Sequence, residues 1–168
     1  MDAEPRAVTI RELRPDDWPA VREIYEEGIR GGDATFETEP PSWEQWDAAH
    51  TQVRLVAERR RAVVGWAALA PVSDRCCYGG VGEVSVYVAE AARGAGLGRS
   101  LLGELVERSE HAGYWTLTAG VFPENEASLR LHRACGFREV GVRERLGELG
   151  GVWRDVVLLE RRSTLVGT

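Results

Sequence analysis

The stretch EVSVYVAEAARGAGLGRSLL, residues 83–102, decides the fold because a strand, a glycine-rich loop and a helix follow one another within it. From Glu83 to Val88 the chain is rich in β-branched residues, which is typical of a strand. From about Arg99 to Ala112 apolar side chains recur at helical spacing. The loop between them, Arg93 to Gly98, contains three glycines. The pattern therefore predicts a unit of the α/β class.

The glycine-rich loop, Arg93-Gly94-Ala95-Gly96-Leu97-Gly98, is predicted to bind a pyrophosphate. Glycines remove Cβ bulk, so successive backbone N–H groups can converge on an anion. The helix that follows, near Arg99 and Ser100, adds its positive end and its unpaired donors. A dinucleotide site would need G-x-G-x-x-G, and a P-loop would need a lysine, which this chain lacks. Coenzyme A therefore fits better than NAD or ATP, and a strand-to-helix turn without a ligand is the alternative.

Outside this stretch the hydrophobic pattern predicts further elements of a mixed α/β fold. Strands are predicted at residues 7–13, 54–58, 63–70, 116–122, 137–143 and 152–160, and helices at about 16–30, 99–112 and 126–135. Asp16 or Asp17 is predicted to cap the first helix, and a capping box at Ser42 opens another short one. The order strand, loop, helix, strand implies a parallel pair in mid-chain, with hairpins on either side. We expect one domain over residues 1–168, with an ordered core over about 7–162.

Composition and charge exclude several classes of protein. With 43% hydrophobic and 29% charged residues, the 168-residue chain is typical of a globular protein. No apolar run approaches the roughly 18 residues of a membrane span, and Met1 to Pro5 lack the basic and apolar regions of a signal peptide. We therefore expect a cytoplasmic protein without a membrane partner. The net charge of −6 argues against nucleic acid, and because all 21 basic residues are arginine, lysine chemistry is excluded.

Metal and thiol chemistry have little support in the sequence. The three cysteines form no C-x-x-C pair, and the three histidines stand at no spacing typical of metal ligands. We expect no metal and interpret the cysteines as reduced structural thiols. A nucleophilic cysteine is the alternative, but no partner for it is visible.

Together with a second block of residues, the loop resembles the GNAT acetyltransferase superfamily. The superfamily signature, Gln or Arg followed by x-x-G-x-G or x-x-G-x-A, is matched by Arg93, Gly96 and Gly98. The second block is Asn125-Glu126-Ala127-Ser128-Leu129, followed by Leu131-His132 and Gly136-Phe137. Over nearly its whole length the chain is similar to the phosphinothricin acetyltransferase group. The segments that carry this similarity are residues 35–40, 83–88, 128–132 and 153–155.

The resemblance implies where acetyl-CoA, the cosubstrate, would bind. It implies a mostly antiparallel sheet of about seven strands, with helices on both faces, that splays open between the fourth and fifth strands. Acetyl-CoA would enter that split, and its pantetheine arm would pair with the backbone at Val86 and Val88, on either side of Tyr87. Asn125 would hydrogen-bond the pantetheine arm or cap the helix that carries Ser128. Homodimers are common in this group, so a homodimer is predicted.

Two residues are candidates for the proton transfers that acetylation of an amine requires. Glu83 falls on the group's catalytic glutamate, and burial at the start of an apolar strand would raise its pKa. The alternative is a solvated charge at a strand end. His132 stands where most GNAT enzymes carry Tyr and the phosphinothricin group carries His. An imidazole can serve as base or acid, and the sequence does not assign which; a structural helix histidine is the alternative. The resemblance also implies a backbone N–H near Val88 for the developing oxyanion.

The acceptor pocket is predicted from the same resemblance. Phe36, Arg75 and Tyr78 fall on the group's acceptor positions, and a guanidinium at Arg75 suits a carboxylate. A surface arginine is the alternative. The group usually has a basic residue shortly before its Trp-His-Asp-like motif, but Glu148-Leu149-Gly150-Gly151 occupies that stretch here. Arg154, which replaces the His of the motif, is the candidate for a second contact to an anion.

The sequence therefore predicts an N-acetyltransferase that acts on a small amino-acid-like amine, such as phosphinothricin or methionine sulfoximine, by direct attack. A protein N-terminal or polyamine acetyltransferase and a non-catalytic acyl-CoA-binding module are the alternatives. A site for a polyamine should be lined with acidic side chains, so Arg75 counts against a polyamine acetyltransferase. The presence of both Glu83 and His132 argues against a module without turnover.

Overall fold

The computed structural model describes residues 7–168, so the expectation about a signal peptide at Met1 to Pro5 lies outside the described residues. Its elements are β1 (Val8–Glu12), α1 (Trp18–Gly31), α2 (Trp43–Ala49), β2 (Arg54–Arg59), β3 (Ala62–Pro71), β4 (Val81–Val88), α3 (Leu97–His111), β5 (Thr116–Val121), α4 (Glu126–Ala134), β6 (Arg138–Leu149) and β7 (Val152–Arg162). No helix within this part of the chain is long and apolar enough to cross a membrane.

The seven strands form one sheet in the order β1-β2-β3-β4-β5-β7-β6. All neighbours are antiparallel except β4 and β5, which confirms the predicted parallel pair. These two strands pair only over Val81–Glu83 and Thr116–Thr118. Beyond Glu83, β4 has no ladder partner on the β5 side, so the sheet splits there as the resemblance implied.

Several element ends follow from local chemistry that the sequence displays. Ser42 Oγ accepts from the Gln45 N–H (3.2 Å) and the Gln45 side chain accepts from the Ser42 N–H (3.0 Å), which is the predicted capping box. Asp17 precedes α1 but does not cap it. Its carboxylate accepts from the Arg14 N–H and from the Arg11 guanidinium, both at 2.8 Å, and this pairing lowers its pKa.

Helices cover both faces of the sheet and bury two apolar clusters. One face packs α3 and α4 on the sheet around Leu101, Leu105 and Leu159, all fully buried. The other packs α1 and α2 around Val21, Trp46, Trp66 and their neighbours. Each fully buried side chain of this size contributes roughly 1.5–3 kcal/mol. The first cluster contains residues from strands on both sides of the split, and the second lies on the β2–β3 side.

Candidate active site

A cavity of about 470 Å³ lies where β4 and β5 separate. Both candidate catalytic residues line it, Glu83 from β4 and His132 from α4. Asn125 and Ser128 line it from the start of α4, and Phe36 from the segment between α1 and α2. The fold thus brings together residues that are up to 96 positions apart in the chain, His132 and Phe36 being the most distant of these pairs.

His132 is a buried, neutral imidazole with a defined tautomer. Its side chain has a relative exposure of 5%, and burial lowers its pKa below the usual 6.5. Nδ1 lies 2.7 Å from the Ser128 carbonyl oxygen. Because a carbonyl can only accept, Nδ1 carries the proton and donates it, which leaves the lone pair on Nε2. The ring edge packs on Phe137 (5.2 Å between centroids, 85°), which fixes its orientation.

Glu83 lies at the end of the β4–β5 ladder, paired with Thr118, at the point where the split begins. It is the third residue of β4 and is exposed, so the burial expected from the sequence is wrong for this carboxylate. The side chains of β4 alternate between the two faces of the sheet, and Val84, next to Glu83, is the one buried in the interior. Glu83 therefore presents a carboxylate to the cavity and to solvent.

The backbone of β4 beyond Glu83 is available on the split side. Ala89 N–H donates to the Val64 carbonyl (2.8 Å), and Val88 pairs with Gly65. In an antiparallel ladder, hydrogen-bonded and non-hydrogen-bonded pairs alternate, so the N–H and C=O groups of Val88 and Val86 point away from β3. Tyr87, between them, stacks its ring on that of Trp66 (4.7 Å between centroids, 14° between planes).

The glycine loop has the geometry that a pyrophosphate requires. Gly94 and Gly96 have φ of 82° and 77°, and a Cβ at either would meet nothing within 4 Å, so the backbone conformation and not crowding calls for glycine. Gly96 is the N-cap of α3 and supplies no side chain, and the first turn has no acidic residue. The first backbone hydrogen bond of the helix runs from the Ser100 N–H to the Gly96 carbonyl (3.2 Å). The N–H groups of Leu97, Gly98 and Arg99 therefore stand at the N-terminal end of α3 without a partner in the helix.

Some predicted cofactor residues are engaged within the chain. Arg93 Nε donates to the Val88 carbonyl (3.3 Å), which ties the loop to the end of β4. Asn125 Oδ1 accepts from the Ser128 N–H (3.2 Å), so its role as a cap is confirmed, and Nδ2 donates to the Asp33 carbonyl (3.1 Å). Ser100 Oγ donates to the Gly96 carbonyl (3.2 Å).

Of the predicted acceptor residues, only Phe36 reaches the cavity. Its ring packs edge-on against Phe122 (4.8 Å, 86°). Arg75 and Tyr78 are exposed on the loop between β3 and β4, where the guanidinium lies 5.5 Å from the Tyr78 ring centroid, and neither lines the cavity.

Arg154 is also absent from the cavity wall, because other groups of the chain hold it. Its guanidinium donates to Asp33 Oδ1 (2.8 Å), Glu124 Oε2 (3.3 Å) and the Gly32 carbonyl (3.1 Å), and it lies 4.1 Å from the Phe122 ring centroid. These carboxylates raise its pKa. Arg154 therefore links three segments and is not free to bind an anionic acceptor.

Sequence reasoning missed Arg143 and Leu146, which line the cavity from β6. We ended the predicted strand at Arg143, but β6 continues to Leu149. Nothing in the sequence sets Arg143 apart from Arg138 or Arg145, so no local signal could have found it. Within residues 7–168, no three His, Cys, Asp or Glu side chains are grouped to hold a metal ion, and the three cysteines are free.

A sheet that splits beside a helix end suited to a pyrophosphate defines a transferase that uses a coenzyme A thioester. Residues 9–137 match the Acetyltransferase (GNAT) family, and the chain belongs to this family. It is an acetyl-CoA-dependent N-acetyltransferase, and acetyl-CoA is its cosubstrate. The resemblance seen in the sequence is thereby confirmed.

Two relatives match nearly the whole chain. A phosphinothricin N-acetyltransferase of Alcaligenes faecalis is 40% identical over 162 residues, 92% of this chain and 82% of the relative. An L-methionine sulfoximine/L-methionine sulfone acetyltransferase of Salmonella typhimurium is 30% identical over 159 residues, 91% and 93% of the two chains.

Solved structures share the fold. A phosphinothricin acetyltransferase from Sinorhizobium meliloti in complex with acetyl-CoA superimposes with a TM-score of 0.87 at 31% identity, covering 95% of this chain and 90% of that one. A ribosomal-protein-alanine N-acetyltransferase from Brucella melitensis gives 0.85 at 33% identity, covering 92% and 99%.

Proposed function

We propose that this enzyme acetylates the α-amine of a small amino-acid-like acceptor of the phosphinothricin or methionine sulfoximine type. The observation that carries the proposal is that a neutral His132 and the carboxylate of Glu83 line the same cavity at the split of the sheet. The relatives named for phosphinothricin and methionine sulfoximine support the acceptor class.

Two parts of the chain would hold the cosubstrate. The N–H groups at the start of α3 would bind the pyrophosphate, and the outward groups of Val86, together with the C=O of Val88, would pair with the pantetheine arm. Bound acetyl-CoA supplies the thioester whose acetyl group is transferred. The N–H of Val88 would stabilise the carbonyl oxygen as its negative charge grows.

We assign the base to His132 and the positioning of the amine to Glu83. An amine with a pKa of roughly 7.7–10.4 is mostly protonated at neutral pH, so a proton acceptor is required. The lone pair on Nε2 takes that proton while the Ser128 carbonyl, on the Nδ1–H, stabilises the imidazolium. The carboxylate of Glu83 attracts the acceptor ammonium to the same place. As the N–C bond forms and the C–S bond breaks, Nε2 passes this proton to the departing sulfur, and the second proton that the nitrogen loses leaves to solvent.

The test is an acceptor panel with purified protein and acetyl-CoA, in which release of free thiol is followed. The panel contains phosphinothricin, methionine sulfoximine, a peptide beginning with alanine and a polyamine. We expect kcat/KM to be highest for the two amino-acid-like acceptors. Faster turnover of the peptide or of the polyamine would contradict the proposal and favour one of the two alternative acetyltransferase classes.

We further propose a homodimer of one-domain chains that works in the cytoplasm. The edge strand β6 and its neighbour β7 expose Val140, Val142, Val152 and Trp153 to solvent, at 46–59% of their full area. An unpaired edge with an apolar surface favours pairing with a second copy. Light scattering after size exclusion should give twice the chain mass of 18.6 kDa, and Val142→Glu should lower it.

A further inference from the structure

The cavity wall contains one guanidinium, that of Arg143, together with the carboxylates of Glu37 and Glu83. His50 and His132 also line it, but burial lowers the pKa of both rings, so they add little positive charge at neutral pH. Within residues 7–168, no ion pair involves Arg143, whereas Arg154 is held by two carboxylates. An anionic group that enters this cavity therefore meets one cationic partner.

β6 is irregular immediately after Arg143. Arg143 pairs with Val156 of β7, but the next paired residue, Gly147, lies opposite Arg154. Three residues of β6 thus oppose the single residue Asp155. Arg145, in the middle of the three, has a φ of 46°, and its N–H donates to Asp155 Oδ1 (2.7 Å). The carboxylate of Asp155 closes this bulge.

The bulge changes which side chains face the cavity. In a regular strand, residues three positions apart point to opposite faces of the sheet. Arg143 and Leu146 are three apart, and both line the cavity, because Leu146 lies inside the bulge, where it pairs with no residue of β7 and the alternation does not apply. Just after the bulge, Gly147 comes so close to Phe36 that a Cβ there would lie 2.8 Å from Phe36 Cε1. Bulge and ring together form one wall.

We propose that Arg143 binds the carboxylate of the acceptor, the role that the sequence had suggested for Arg75. This inference rests on the proposed function. An amino-acid acceptor is a zwitterion, so its ammonium is drawn to Glu83 and His132 while its carboxylate is drawn to the guanidinium across the cavity. A planar guanidinium can give a carboxylate two parallel hydrogen bonds, which fixes the orientation of the amine. Simple amines would lack this contact.

The experiment compares Arg143→Gln and Arg75→Gln with two acceptors, L-methionine sulfoximine and the amine formed by its decarboxylation. We expect R143Q to lower kcat/KM for the amino acid by roughly 10- to 150-fold, mainly through KM, and to leave the decarboxylated amine unchanged. R75Q should match the wild type with both. Unchanged kcat/KM of R143Q with the amino acid, or an equal loss with both acceptors, would overturn the inference.

Calorimetric titration of L-methionine sulfoximine into the enzyme loaded with coenzyme A gives a readout that does not depend on turnover. Wild type and R75Q should bind the amino acid, and R143Q should bind it more weakly by the same factor. Arg143→Lys keeps the positive charge but cannot give two parallel hydrogen bonds, so it should recover part of the affinity that R143Q loses. If the wild type binds no amino acid, both the inference and the proposed function fail; if it acetylates the amino acid and R143Q does so equally well, only the inference fails.

Discussion

Replacing His132 with asparagine tests the assignment of the base with little disturbance to its surroundings. The asparagine Nδ2 can occupy the place of the imidazole Nδ1 and donate to the Ser128 carbonyl, which now receives a bond of 2.7 Å. What disappears is Nε2 and its lone pair. Removing a general base typically costs a factor of about 10²–10⁴, equivalent to about 2.7–5.4 kcal/mol of activation free energy. We expect kcat to fall within that range.

The same replacement should also lower the free energy of unfolding, by less than it raises the activation free energy, and the two effects can be measured separately. The edge-to-face contact with Phe137 (5.2 Å) is worth about 0.5–1.5 kcal/mol, and the smaller side chain leaves a gap beside it. We expect the free energy of unfolding to fall by about 1–3 kcal/mol. Affinity for coenzyme A, measured by calorimetry, should be unchanged, because the loop at α3 is untouched.

The pH dependence distinguishes a base from a structural histidine. Burial lowers the pKa of His132 below 6.5, so the wild-type kcat/KM should fall only on the acid side of that value, as the ring becomes protonated. Stability follows the same direction: a depressed folded-state pKa contributes stability that is present above pH 6.5 and is lost as the pH falls through the folded-state value. H132N should lack both effects. Turnover within about threefold of the wild type, with the same acid limb, would refute the reasoning.

Three further changes test the remaining parts of the site. Gly96→Asp should nearly abolish coenzyme A binding in calorimetry, because it puts a carboxylate at an anion site and strains a backbone φ of 77°, whereas Gly103→Asp on the same helix should bind normally. Glu83→Gln should lower kcat/KM by about 10- to 150-fold through loss of a charged contact, with coenzyme A affinity retained; full activity would leave Glu83 without a role. Asp155→Ala should raise the acceptor KM with less effect on kcat by loosening the bulge, and Asp155→Asn, which keeps an acceptor oxygen, should behave like the wild type in the same assay.

Local sequence patterns were sufficient to predict the part of the molecule that binds the cosubstrate. Glycine spacing, the helical period after Leu97 and the capping box at Ser42 act within a few residues, so the chain displays them directly. The order of elements also predicted the parallel pair, because two neighbouring parallel strands need a crossover connection and the helix between β4 and β5 supplies one. These features place the glycine loop and β4 side by side, and the family match agrees with them.

The acceptor side depended on contacts between distant residues, which the sequence does not display. Whether Glu83 is buried was decided by the end of the β4–β5 ladder, and the place of Arg154 by carboxylates 121 and 30 positions away. The bulge that brings Leu146 to the cavity beside Arg143 is closed by the Asp155 carboxylate, which accepts a bond from a backbone N–H ten positions earlier. The sequence by itself determined that the chain binds a coenzyme A thioester at a strand–loop–helix unit, since that site is made of neighbours. Only the tertiary structure decided that Arg143, and not Arg75 or Arg154, lines the cavity, since the face on which a strand residue lies depends on its register with the neighbouring strand.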